Sequence, residues 1–357
     1  MKIDAISIKN YKSIKELEDF KLSKLNILIG ANGAGKSNFI SFFKMLNMMI
    51  EKKLREYTKT IGADNILYFG KKKSSEIVGK IDFGRNKYGF NLKPTEDDIL
   101  FFAEERTYYL SQTYNGFETE RVIGQSNSET RLFDCPSVCE YVRNALLSWR
   151  VYHFHDTSST AGVKQYCELS TYRRLTHDAS NLAAFLYLLK QKYENSFFMI
   201  EETIKLIAPY LDRFILEPDA LNEERIRLEW QESGSDKVFN ANHLSDGTLR
   251  MICLTTLLLQ PNPPDTIIID EPELGLNPYA ISVLASLMKS FAVDKQLIVS
   301  TQSVTLINHF EPQDIIVADK ENGASVFRRL EAHELDDWKE NYTLGEIWEK
   351  NIIGGRP

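Results

Sequence analysis

Eight consecutive residues near the start of the chain, Gly30-Ala31-Asn32-Gly33-Ala34-Gly35-Lys36-Ser37, follow the spacing G-x-x-x-x-G-K-[ST]. This is the spacing of a phosphate-binding loop (P-loop), whose glycines let the backbone curl so that successive N–H groups aim at phosphate oxygens. Lys36 would reach the β- and γ-phosphates of a nucleoside triphosphate, and the Ser37 hydroxyl would hold Mg2+. A second set of chemically capable residues comes much later. Thr266 to Asp270 (TIIID) is apolar up to its final carboxylate, and Glu271 follows at once. In this Walker B pattern the Asp suits Mg2+, and the Glu can polarise an attacking water. A third stretch, Leu244-Ser245-Asp246-Gly247-Thr248, opens an apolar run from Leu249 to Leu259. Read alone, Ser245 is a helix N-cap. With Gly247 it makes a second helix N-terminus suited to an anion.

These groups act together only if particular elements deliver them. Lys24 to Ile29 reads as a short buried strand and Asn38 to Ile50 as a helix, which gives the loop a strand–loop–helix setting. From Ile77 to Val122 short alternating runs appear: Ile77 to Phe83, Tyr88 to Leu92, Ile99 to Glu105 and Phe117 to Val122. Asn86-Lys87, Pro94 and Asn115-Gly116 punctuate them, and the pattern predicts an antiparallel meander. Ser137 to Ser148 reads as a helix and Arg150 to Phe154 as a strand. Asp156 to Asn181 is polar and reads as a long irregular loop. Ser180 is expected to cap a helix from Asn181 to Tyr193, with a second helix from Phe197 to Leu211. Arg225 to Trp230 and Lys237 to Asn240 read as a hairpin leading to Ser245. The last block alternates strand and helix (265–270, 278–293, 296–300, 303–309, 313–318), as in a parallel sheet with covering helices. The strands that end at Ile29 and Asp270 are expected side by side in it. The fold class is therefore α/β: a mixed sheet with an antiparallel β subdomain and an inserted helical lobe. Residues 1–154 and 212–357 are expected to form a nucleotide-binding head, and 155–211 the helical lobe.

At 357 residues and 43% apolar, the chain can bury a large core. Its net charge of −7 gives no overall field for nucleic acid, so any DNA contact is local. Lys71-Lys72-Lys73 and Arg173-Arg174 are the candidates, each more readily read as a solvated loop. The opening residues are charged every few positions without an apolar core, so no signal peptide is expected. The longest apolar runs fall short of a membrane span, and the expected location is the cytoplasm. Of the cysteines, Cys253 sits in an apolar helix and reads as core, and reduced thiols are the expectation. Cys135, Cys139, His153 and His155 could be drawn as a zinc site, but H-x-H departs from the usual ligand spacing.

Together the motifs resemble a P-loop NTPase of the ABC-ATPase-head type, in the form of the compact bacterial "AAA family" ATPases of the RecF, OLD and SMC branch. Leu244 to Thr248 resembles the ABC signature loop, LSGGQ in its common form, with Asp246 where that form has Gly. The resemblance implies that Ser245, Asp246 and Gly247 act in trans, covering ATP held by the other subunit of a homodimer that forms on ATP binding. Pro272 to Pro278 resembles the D-loop after Walker B. Gln302, in Thr301-Gln302-Ser303, stands where ABC transporters carry a switch His; its amide can donate to a γ-phosphate oxygen but cannot carry a proton. Ile6 to Ile14 resembles the opening strand of these ATPases, which implies that Lys12 and Ser13 lie beside the nucleotide. Asn38 joins the P-loop residues in the ATP-binding set. His155 stands where a loop between the lobes reports the γ-phosphate, although the usual Gln is absent. The resemblance extends to the ending, residues 348–357.

The implied activity is slow ATP hydrolysis with Mg2+ on Ser37 and Asp270, Glu271 orienting water, and Lys36 and Gln302 assisting. No sustained heptad run separates P-loop and signature, so no long coiled coil is expected. The residues after Walker B read as more of the head, so no appended TOPRIM domain is expected. Relatives such as the ATPases of the Septu and PARIS systems work with a nuclease. That implies a separate nuclease or TOPRIM-like effector and a role in anti-phage defence. The alternatives are a RecF-like role in DNA repair and a nucleotide-gated scaffold with little turnover.

Overall fold

The computed structural model describes residues 2–111, 118–339 and 341–356. In chain order, β1 (Ala5–Tyr11), β2 (Ile14–Lys21) and β3 (Leu25–Ile29) lead into α1 (Lys36–Ile50), α2 (Leu54–Ile61) and α3 (Ala63–Ile66). Then come β4 (Ile77–Asp82), β5 (Asn86–Pro94), β6 (Leu100–Leu110), β7 (Glu118–Asn127), α4 (Val138–Leu147), β8 (Trp149–Tyr152) and β9 (Cys167–Glu168). Helices α5 (Leu182–Lys192) and α6 (Glu194–Ile207) precede β10 (Leu211–Ile215), β11 (Arg225–Ile226), β12 (Glu229–Glu232) and β13 (Val238–Asn240). The last part holds α7 (Asp246–Leu259), β14 (Thr266–Asp270), α8 (Pro278–Phe291), β15 (Gln296–Ser300), α9 (Val304–Ile307), β16 (Ile315–Glu321), β17 (Ala324–Arg329), α10 (Asp336–Lys339) and α11 (Leu344–Glu349).

The central sheet runs β17-β16-β3-β15-β14-β8. From β16 to β8 its strands are parallel, and β17 is antiparallel to β16. Parallel strands covered on both faces read as unbroken apolar runs, as LNILI, TIIID and QLIVS do here. Side chains alternate between the faces with period two. Ile27 and Ile29, Ile267 and Ile269, Leu297 and Val299 enter a core shared with α5, α6, α7 and α8. Leu28, Ile268 and Ile298 enter the opposite core, with α1, α4 and the antiparallel sheet β2-β1-β4-β5-β6-β7. In that second core Phe43 packs edge-on against Phe39, Phe42 and Trp149.

The far end of the sheet is stitched by one buried amide. Gln296 accepts from Ile3 N (2.9 Å) and Thr266 Oγ1 (3.0 Å), and donates to Ile3 O (2.8 Å) and Ser23 O (2.9 Å). It joins β15 and β14 to the residues before β1 and β3.

Several expectations are corrected by this arrangement. β3 and β14 share a sheet but are not neighbours, because β15 lies between them. All three strands are apolar enough for any inner position, so their composition leaves the order open. β17 was not anticipated. The segment after Asp156 is irregular only in part: it holds 3-10 turns at Gly162–Lys164 and Leu169–Arg173, and β9 pairs with β11. The expected hairpin splits, with β11 going to β9 while β12 pairs with β13 and β10. α6 stops at Ile207, and Leu211 starts a strand. Asn181, not Ser180, is the N-cap of α5; its amide donates to Thr171 O and Arg174 O and so holds the preceding loop. Asn86 closes the turn from β4, accepting from Phe83 N at 2.9 Å, and with Lys87 already opens β5. Asn115-Gly116 and Phe117 fall outside the described residues.

The expectation of reduced thiols fails at Cys135 and Cys139, which are joined as a disulfide with their Cα atoms 5.7 Å apart. Both thiols are thereby taken from a metal, and no cluster of His, Cys, Asp and Glu suited to one occurs among the described residues. Cys167 and Cys253 are free, and Cys253 is buried. No described helix is long and apolar enough to cross a membrane.

Replacing Gln296 with Leu leaves the Ile3 backbone groups without partners in a dry setting. The expected loss is about 2 to 3 kcal/mol of stability. It should appear as a lower urea midpoint with an unchanged m-value.

Candidate functional site

The P-loop follows directly from β3. A Cβ on Gly30 would lie 2.3 Å from Ala318 O, and one on Gly35 only 2.1 Å from Ser325 Oγ, so both positions require glycine for close approach. Gly35 is the N-cap of α1. Lys36 is 5% exposed, and its ammonium donates to Gly30 O (2.5 Å) and Ala31 O (3.2 Å). Burial lowers the Lys36 pKa, and Glu271, Asp270 and Glu273 pull it back up, so these carboxylates are near enough to be felt. Asn32, Gly33 and Ser37 are exposed. Beside the loop, Asn38 Nδ2 and Ser325 Oγ each donate to Ser13 Oγ at 2.7 Å, and Lys12 donates to Ser41 Oγ at 2.9 Å. A cavity of about 530 Å3 opens there, lined by Lys12, Ser13, Asn38, Phe69 and Lys320, with Phe69 62% exposed.

Register brings the other strand ends to the same place. Leu28 pairs with Ser300, and Ser300 with Asp270, so three strands end level. Ser300 Oγ donates to Asp270 Oδ1, and Glu271 N to Ser300 O (2.8 Å). Gln302 Nε2 donates to Glu271 Oε1. Glu271 itself has φ +42, a left-handed backbone uncommon for a side chain with a Cβ. From the β8 side, His155 Nε2 lies 2.8 Å from Asp270 O; a carbonyl only accepts, so Nε2 carries the hydrogen.

Two participants were not picked out from sequence. Glu273 is 8% exposed and accepts from Thr301 Oγ1 and Gln302 N (3.1 Å), while its Oε2 has no partner. Burial raises its pKa. Arg250, on α7, donates to Phe154 O (2.9 Å), His155 O (3.3 Å) and Leu274 O. Its signal was a lone cation in an otherwise apolar helix, LRMICLTTLLL.

The third motif lies apart from these. Ser245 caps α7, accepting from Thr248 N (3.2 Å), and Thr248 Oγ1 meets Tyr210 OH at 3.1 Å. Ser245 and Asp246 are exposed, with Lys164 Nζ 3.7 Å from Asp246. None of their hydrogen bonds or ion pairs runs to the P-loop. A Cβ on Gly247 would sit 2.3 Å from Gly275 O, so the start of α7 rests on the loop after β14. The structure thus gathers Gly30 to Asn38, Lys12, Ser13, Asp270, Glu271, Gln302 and His155 at one sheet end, leaves Ser245 and Asp246 exposed, and packs Gly247 on the loop after β14.

A P-loop at the C-terminal edge of a mostly parallel sheet, with an Asp-Glu pair two strands away and an antiparallel sheet on one face, defines an ABC-type ATPase head. Residues 1–119 match a family model described as "AAA ATPase domain", and residues 149–308 one described as "AAA domain, putative AbiEii toxin, Type IV TA system". No curated protein matches the chain. Among solved structures, an SMC head bound to the C-terminal winged-helix domain of ScpA aligns at TM-score 0.59 and 16% identity, over 93% of this chain and 99% of that one. An SMC head with an extended coiled coil, bound to the C-terminal domain of ScpA derived from Pyrococcus furiosus, aligns at TM-score 0.54 and 15% identity, over 95% and 98%. At such identities the likeness is one of fold. The chain has the fold of a P-loop ATPase head of ABC type, and two stretches of it match AAA ATPase domain models.

The buried Glu273 gives the site a pH signature. A carboxyl with a raised folded pKa favours folding below its unfolded value, near 4.5, and that contribution is lost as pH rises through the folded value. Glu273→Gln keeps an acceptor for Thr301 and Gln302 without a charge. It should raise stability at neutral pH by on the order of 1 kcal/mol. The gain should vanish as pH falls to the ordinary glutamate range, as read from a series of melting temperatures.

Proposed function

We propose that this chain binds ATP with Mg2+, closes as a homodimer around it and hydrolyses it slowly, and that the closed state governs a separate effector. The observation that carries this reading is the convergence of Lys36, Asp270 and Glu271 at one sheet end while Ser245 and Asp246 at the start of α7 are exposed. A second copy's α7 N-terminus faces the phosphates from the side opposite the P-loop amides and adds donors there. The donor set fits a magnesium nucleotide: an exposed Ser37 hydroxyl and the Asp270 carboxylate are hard oxygen ligands, and Gly30, Gly33 and Gly35 keep positive φ for an amide cradle. Bound Mg2+ would neutralise phosphate charge.

The residues divide the work. P-loop amides and Lys36 hold the phosphates, with Lys36 giving up Gly30 O and Ala31 O to do so. Lys12, Ser13 and Asn38 lie along the nucleotide, and the exposed Phe69 ring offers a face for the base. Glu271 accepts from the attacking water and Gln302 fixes the carboxylate's direction. Asp246 joins the trans contact, and His155 reports the state of Asp270 to the lobe. In this reading residues 1–154 and 212–357 are the head and 155–211 the lobe. A nuclease is the favoured effector and anti-phage defence, in the cytoplasm, the favoured setting. The toxin–antitoxin family description of residues 149–308 supports it. A nucleotide-gated scaffold with little turnover is the second reading, favoured by the Gln302 bond that already occupies Glu271 Oε1. Co-purification with the product of the adjacent gene, with and without ATP, tests the effector.

Lys36→Ala should abolish tight ATP binding, measured by equilibrium titration with a labelled nucleotide; wild-type affinity in the variant would remove the assignment. Glu271→Gln should still bind ATP, with turnover reduced about a hundredfold or more. Its scattering mass should rise in Mg-ATP and stay high, whereas the wild type relaxes as ATP is consumed. Equal mass with and without nucleotide would exclude closure on ATP.

A further inference from the structure

Beyond α11 the chain returns to the P-loop. Trp348, fully buried on α11, donates its indole N–H to Gly355 O at 2.5 Å. Arg328 on β17 donates to Ile353 O at 2.7 Å, and Ile353 is itself buried. Gly355 N donates to Asp319 Oδ2 on β16 at 3.1 Å. Three side chains from three elements therefore fix a segment of three residues.

The segment is fixed against Gly30. Gly355 has φ +59, and a Cβ there would lie 2.8 Å from Val317 Cγ1, 3.1 Å from Ala318 O and 3.2 Å from Gly30 Cα. Gly30 in turn leaves no room for a Cβ beside Ala318 O. Backbone meets backbone at Gly30, Ala318 and Gly355, and only glycines permit it. Gly30 O is also the acceptor that holds the Lys36 ammonium. A path runs from Asp319 by a hydrogen bond to Gly355, by close backbone approach to Gly30, and by a hydrogen bond to the cation of the phosphate site.

We infer that residues 353–355 are a positioning strap for the P-loop, and that nucleotide affinity depends on the bond between Gly355 N–H and Asp319. The inference rests on the nucleotide-binding reading above. The strap holds the first peptide of the loop where its neighbours can face phosphate, so that ordering is not required of the ligand. Core packing alone needs Trp348 and Ile353 but makes no demand on Asp319, which is exposed.

The test uses the whole chain and titration of labelled ATP in Mg2+, with melting temperatures taken without nucleotide. Asp319→Ala should weaken ATP about three- to tenfold, the scale of one lost hydrogen bond, with little change in melting temperature. Asp319→Asn keeps an acceptor oxygen and should restore wild-type affinity. Gly355→Val should weaken ATP by at least about tenfold, because the added atoms push on Val317 and Gly30. In turnover the change should fall on KM rather than kcat. Wild-type affinity in both Asp319→Ala and Gly355→Val overturns the inference. So does a loss that tracks melting temperature and is not recovered by Asp319→Asn. If the wild type binds no better than Lys36→Ala, the nucleotide reading fails first and the strap falls with it.

Discussion

The ends of β3, β15 and β14 have to be level. Leu28, Ser300 and Asp270 form one row across the sheet, and each strand carries a different chemical part just beyond it. After β3 comes the P-loop, after β14 the Asp-Glu pair, and after β15 the Thr301-Gln302 step. A slip of one residue in any strand would exchange its core faces and move its part about one residue rise along the sheet. The two cores prevent that slip, because each strand commits alternate residues to each of them. Packing far from the nucleotide edge therefore sets the distance between Lys36 and the carboxylates.

Around that row the protein spends its buried polar groups. Ser300 holds Asp270, Gln302 holds Glu271, and Glu273 holds both Thr301 and the Gln302 amide. Each pairing gives a polar group a fixed direction, which is what a charge-handling site needs. Arg250 extends the connection outward. With its guanidinium on Phe154, His155 and Leu274 carbonyls, it makes α7, the turn after β8 and the loop after β14 one hydrogen-bonded body. The outward-facing Ser245 thus sits on the same body as the contact to Asp270.

The local parts of this design could be read from the residues. The P-loop, the TIIID strand and the helix after Ser245 are contiguous runs whose periodicity and caps are written in neighbouring positions. Longer-range choices were not legible. Nothing in LNILI or QLIVS says which strand sits between which, so β15 went unplaced between β3 and β14. β17 was missed because its partner and its role under Gly35 depend on a turn at Gly323 and on Ser13, far away in the chain. The Cys135–Cys139 bridge contradicted an expectation drawn from compartment alone. Arg250 was visible as a lone charge in an apolar helix and Glu273 only as one acid of three, yet their partners, backbone groups and the Thr301 hydroxyl, are brought in by the fold.

Glu271 stands in a backbone region where the absence of a side chain would be easier. For an ordinary residue the left-handed conformation costs roughly 1 to 2 kcal/mol, and its φ of +42 lies there. Glycine would remove that cost and the carboxylate together. With Glu271 in its proposed role, directed evolution for heat resistance alone would be drawn to Gly at this codon and would deliver a tougher, inert protein. A screen that scores turnover before thermal challenge would keep the glutamate and find its gains elsewhere.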